Sequence, residues 1–97
     1  MDDFHFGAGE FSSELWIDSK RVFVKPRSVD VEFVNSGPFD WVFADANGKE
    51  VRTYRHDNKS GWTGIHFFSL GLTGDFSIGF RNAGSGLLKV KQGDVHF

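Results

Sequence analysis

Apolar and polar residues alternate with a period of two along most of this chain. Asp75-Phe76-Ser77-Ile78-Gly79-Phe80-Arg81-Asn82 sets Phe76, Ile78 and Phe80 on one side and Ser77, Gly79 and Arg81 on the other, the pattern of a half-buried strand. Gly71 and Gly74 ahead of it and Gly84 and Gly86 behind it permit turns, so this is a central strand between two reversals. Ser28-Val29-Asp30-Val31-Glu32-Phe33-Val34 alternates as cleanly and ends at the turn residues Asn35-Ser36-Gly37-Pro38. Phe39-Asp40-Trp41-Val42-Phe43-Ala44 resumes the alternation, with Trp41 in phase with Phe39 and Phe43 and so a core residue. Asn47-Gly48 then predicts a type I′ hairpin, which returns Glu50-Val51-Arg52-Thr53-Tyr54-Arg55 antiparallel.

The remaining segments follow the same grammar. Phe4 and Phe6 alternate in a short strand limited by Gly7 and Gly9. Phe11 to Ile17 pairs with Arg21 to Lys25 through Asp18-Ser19-Lys20; the alternative is a brief helix from Ser12 to Ile17, with Ser12 as its cap. Pro26 cannot donate to a ladder and marks a strand end or a sheet edge. His56 to Gly64 carries no core pattern and reads as an exposed loop around Trp62, followed by a strand from Ile65 to Leu70. Leu87 to Lys91 and Asp94 to Phe97 are extended. About eight short strands result, the grammar of an all-β, single-domain antiparallel β-sandwich of jelly-roll or Ig-like type over residues 1–97.

Composition fits one small aromatic core. The 97 residues include 12 Phe, two Pro, one Met and no Cys. Phenylalanines suit a pleated surface and bury large areas, which lets a small sandwich hold together without disulfides. Eleven Lys and Arg against 13 Asp and Glu leave a net charge of −2, with no long-range field to draw a polyanion, so nucleic acid is a poor partner. The sequence has no apolar run of membrane-span or signal-peptide length; the expectation is no membrane span, with a cytoplasmic location or a leaderless route of export.

From Val29 to Phe97 the order of features resembles the Golgi-dynamics (GOLD) β-sandwich and, less closely, the bacterial pre-peptidase C-terminal sandwiches. The residues concerned are the D-x-x-G-K hairpin of Asp45-Ala46-Asn47-Gly48-Lys49 and the G-D-F-x-I-x-F-x-N strand of Gly74 to Asn82. The cysteine pair, coiled coil and membrane anchor of secretory GOLD proteins are not in this sequence. The resemblance therefore implies a non-catalytic recognition module and not a cargo receptor.

Catalytic and metal motifs are weak. His5, His56, His66 and His96 are scattered, no two at a spacing that joins them on one element, and Asp45 to Glu50 fits a hairpin turn better than a calcium loop. There is no nucleophile elbow and no phosphate-cradling glycine loop, so neither metal nor cofactor is expected, and no enzyme. Asn58-Lys59-Ser60 matches a glycosylation sequon without an export signal to give it use. Tryptophan is the better lead. Trp62 lies in a polar segment where nothing calls for burial, and Trp16 falls outward if Leu15 and Ile17 face in. The expected function is lectin-like glycan binding through Trp62 and Trp16, with Asp57, Asn58 and Arg55 as hydrogen-bonding partners. The alternative is a protein-interaction or assembly module, such as an effector, phage or particle subunit, working through sheet edges and homo-oligomerisation.

Overall fold

A computed structural model describes residues 2–97, the side chain of Asn58 excepted. In chain order the strands are β1 (Asp3–Phe6), β2 (Gly9–Phe11), β3 (Glu14–Trp16), β4 (Ser28–Phe33), β5 (Gly37–Ala44), β6 (Glu50–Asn58), β7 (Gly61–His66), β8 (Ser77–Asn82) and β9 (Leu88–His96). One antiparallel sheet runs β1-β9-β4-β7, with β2 also paired to β9, and the other runs β3-β8-β5-β6. Apart from the β5–β6 hairpin and the interruption between β1 and β2, each connection passes from one sheet to the other. That is the winding of a jelly roll, which resolves the choice between jelly-roll and Ig-like forms.

The core is where the alternation places it. Phe11, Phe23, Phe33, Phe39, Phe43, Phe67, Phe76 and Phe80 are buried with Trp41, and Phe4, Phe6 and Phe97 pack against them. Phe80 on the central strand β8 is the hub: its ring lies 5.0 Å from Trp41, 5.8 Å from Phe39, 5.9 Å from Phe33, 6.2 Å from Phe11 and 6.3 Å from Phe6. These centroid separations are those of favourable tilted, stacked and edge-to-face pairs.

Four local expectations are corrected. Glu14–Trp16 pairs with β8 and not with Arg21 to Lys25, from which only Phe23 makes a bridge, to Phe76. The Asp18-Ser19-Lys20 turn is present in left-handed backbone, yet it leads the chain away to the core instead of closing a hairpin. At the β5–β6 turn only Gly48 has positive φ (83°), so the turn is not type I′; Asp45 Oδ1 stabilises it by accepting from the Asn47 and Lys49 N–H groups. Finally, His56 to Gly64 is no loop. β6 runs through it to Asn58, Lys59-Ser60 forms a tight corner between the sheets, and β7 begins at Gly61, while Phe67–Leu70 is a 3₁₀ turn and not a continuation of the strand.

Candidate functional site

Strand register assembles a polar grid on the outer face of the first sheet. Ser28 of β4 lies between His66 of β7 and His96 of β9, Asp30 between Gly64 and Asp94, and Glu32 between Trp62 and Gln92. β1 adds Asp3 opposite His96 and His5 opposite Asp94. Each of these residues occupies the outward position of an alternating strand whose inward positions are Val29, Val31, Ile65 and Val95, so the packing that makes the core also fixes the grid. Trp62 stands at its corner, 54% exposed.

Hydrogen bonds bind the grid across strands. His96 places Nδ1 2.6 Å from Asp3 Oδ1 and Nε2 3.0 Å from Asp30 Oδ2. An imidazole can donate from both nitrogens only when protonated, and the bonds to Asp3 and Asp30 raise the His96 pKa above its ordinary value against the opposing effect of burial. His5 Nδ1 lies 2.9 Å from Asp94 Oδ1, and Gln92 Nε2 donates to Glu32 Oε1 at 2.8 Å. With both ring nitrogens committed to carboxylates, His96 offers no base to the neighbouring Ser28, so this row does not do the work of a Ser-His-Asp triad. Among the described residues no group of His, Asp and Glu has metal-holding geometry.

Beside Trp62 the face dips into a shallow recess of about 460 Å³, lined by Asp30, Trp62, Thr63, Gly64, Asp94 and His96. Gly64 makes the recess: a Cβ there would collide with the Asp30 carboxylate, which leans across the glycine, and would lie 3.2 Å from the Val29 carbonyl. The result is an aromatic wall beside a row of carboxylate acceptors, reachable from solvent.

The residues singled out from the sequence are not gathered in one place. Trp62 is on the outer face of the first sheet, whereas Trp16 and Arg55 are on the outer face of the second. Trp16 lies over Gly79, its Nε1 donates to Glu14 Oε2 at 2.5 Å, and the Lys20 ammonium sits 4.6 Å from its ring, so its planar face is already occupied. Arg55 Nε donates to Asp40 Oδ1 at 2.5 Å, and that bond raises its pKa. Asp57 borders a separate dip with Ser36, Gly37 and Lys59 near the β6–β7 corner, and the Asn58 side chain lies outside the described residues. Trp62 instead lies opposite Glu32 and borders the recess lined by Asp30, Gly64, Asp94 and His96. The outward phase of Asp30 and Glu32 was available in the sequence; which strands lie side by side was not.

The geometry is that of a jelly-roll module whose first sheet presents a polar outer face with an exposed tryptophan. The crystal structure of the SPBc2 prophage-derived protein YomS is similar in fold, over 97% of this chain and 92% of that chain, with a TM-score of 0.55 and 14% sequence identity. No protein-family model and no curated protein matches the sequence.

Proposed function

We propose that this protein is a non-catalytic recognition module and that the Trp62 face binds a saccharide. The observation that carries the reading is the recess beside Trp62, where a half-exposed indole adjoins the carboxylates of Asp30 and Asp94 over a glycine floor. A sugar ring has an apolar face that stacks on an indole and hydroxyls that donate to carboxylates, and this recess offers both within the width of three strands. Trp62, Asp30 and Asp94 are the contact residues in this reading; Trp16, Asp57 and Arg55 drop out of it. A glycan array followed by titration of tryptophan fluorescence tests it. The wild type should give a saturable response to at least one saccharide, and Trp62→Ala should weaken binding at least tenfold, about 1.4 kcal/mol. No saturable response from the wild type on any glycan would refute the reading.

A second reading, assembly through a sheet edge, is favoured by one specific feature. β6 is nine residues long and pairs only with β5, with most of its side chains exposed. Jelly rolls serve in both lectins and capsid proteins, so the fold by itself does not choose between the two.

A further inference from the structure

We propose that the groove between the Phe67–Leu70 turn and the Lys25-Pro26-Arg27 segment docks an acidic peptide segment of a partner protein, with an apolar side chain of that segment seated against Phe68. The groove lies at one end of the sandwich, has a volume of about 520 Å³, and includes Phe67, Phe68, Leu72, Lys25 and Arg27 in its lining. It shares none of the Trp62 recess residues.

Phe68 is the anomaly that points here. Of the 12 phenylalanines, 11 are buried or packed against the core, while Phe68 is 92% exposed. Its turn is firmly held. Phe67 is buried and its N–H donates to the Arg27 carbonyl at 3.0 Å; the Gly71 N–H bonds the Phe68 carbonyl at 3.0 Å and the Leu72 N–H bonds the Phe67 carbonyl at 3.1 Å. Gly71 adopts the left-handed conformation that closes such a turn. An aromatic side chain held out by an ordered turn beside an apolar groove is a surface prepared for contact.

The charges specify the partner. Among the described residues neither the Lys25 nor the Arg27 side chain makes an ion pair or hydrogen bond, and both line the groove. Their backbones are nonetheless fixed. The Arg27 N–H donates to the His96 carbonyl at 2.7 Å, and Lys25, in left-handed backbone at φ 47°, donates its N–H to Asp75 Oδ1 at 3.0 Å. Left-handed backbone is unfavourable for a non-glycine residue, so this geometry is held by its surroundings and not by local preference. Two uncommitted cations over an apolar floor complement carboxylates flanking an apolar side chain. An anionic membrane fits less well: the apolar surface is concave, and the segment lacks the basic cluster that surface binding needs.

Selection of a random heptapeptide phage-display library on the immobilised protein tests the inference. Peptides with Asp or Glu beside a large apolar residue should be enriched. A synthetic peptide of the enriched sequence should bind at least tenfold more weakly to the Lys25→Glu/Arg27→Glu double variant and to Phe68→Ala, and equally well to Trp62→Ala. All three altered side chains are solvent-exposed, and unchanged circular dichroism and melting would certify the fold. Absence of an acidic-apolar consensus, or binding indifferent to these variants, would overturn the inference. So would sedimentation of the wild type with phosphatidylserine vesicles when no peptide is selected. Saccharide binding through Trp62 should survive the groove variants, so the two readings fail separately.

Discussion

A histidine with a carboxylate at each ring nitrogen satisfies both only as a cation, and this makes His96 the residue through which pH reaches the fold. Its hydrogen bonds to Asp3 and Asp30 raise its pKa above 6.5, so the folded state binds the proton more tightly than the unfolded chain does. The stabilisation is fully present below the unfolded value, about 6.5, and is lost as pH rises through the higher folded value. Melting temperature should therefore fall from mildly acidic to mildly alkaline pH, and His96→Gln should flatten that slope in thermal melts followed by circular dichroism. Glu50 acts with the opposite sign. The hydrogen bond from Arg81 lowers its pKa below 4.5, so its contribution is present above that value and is lost as pH falls through the lowered one. Both side chains are partly exposed, and screening keeps each effect modest. At this scale the alternation in the sequence put Trp41 in the core, where it lies; Trp62 was a candidate contact residue whose exposure the structure supplies. The sequence did not reveal Trp62's neighbours, because Arg55 and Asp57 were chosen by nearness along the chain, whereas a sheet face is built from residues of different strands. The same cause hid the gathering of His5, His66 and His96 on one face.

Strands with one buried face were legible, whereas β6 was read only through its hairpin, as far as Arg55, and the start of β7 was taken for a loop. β4, β5 and β8 alternate because one side of each meets the core, and Phe80 shows what that side does. Phe80→Ala removes the ring that touches five other aromatic residues, and should cost about 3–5 kcal/mol, measured by denaturant unfolding. β6 and the start of β7 lie at the open side of the sandwich, where Arg52, Tyr54 and His56 occupy inward phase without full burial; polarity there imitates a loop. The bond between Thr63 Oγ1 and His56 Nε2, 3.0 Å, ties the two sheets at that side, a contact with no trace in hydropathy. The two extended segments expected at Leu87 to Lys91 and Asp94 to Phe97 are a single strand, β9, and Gly93 lies inside it, where a Cβ would collide with the Phe6 ring and with the Asp30 carbonyl. Gly93→Ala should therefore lower stability by about 1–3 kcal/mol in the same measurement, since the obstruction includes backbone that cannot turn aside.

For the whole molecule, the edges decide what the sandwich can join. Strand order was beyond the sequence because connections that cross between sheets leave no periodic signal, yet the order determines which ladders stay open. β3 is three residues long, and the β1–β2 edge is broken at Gly7-Ala8; β6 presents nine residues with neither proline nor lysine within them, and its charges, Glu50, Arg52, Arg55 and Asp57, restrict the registers in which it can pair. Two copies joined antiparallel along β6 about a two-fold axis perpendicular to the sheet must match inward residues with inward ones. That condition centres the pairing on a residue and not between two. Centring on Arg55 would set that cation against its own copy. Centring on Tyr54 sets Thr53 opposite Arg55 and Arg52 opposite His56, while centring on Thr53 sets Arg52 opposite Tyr54. Thr53→Lys is unfavourable in both of the latter registers: the new ammonium meets Arg55 in one and its own copy in the other, and like charges directly opposite destabilise a pair. Thr53 is exposed on the outer face, so the fold should tolerate the change. Sedimentation velocity over a wide concentration range should show reversible dimers for the wild type and a monomer for Thr53→Lys with an unchanged melting temperature. A wild type that stays monomeric throughout would remove β6 as the joining edge, and a variant that associates as well as the wild type would remove the registers centred on Tyr54 and Thr53.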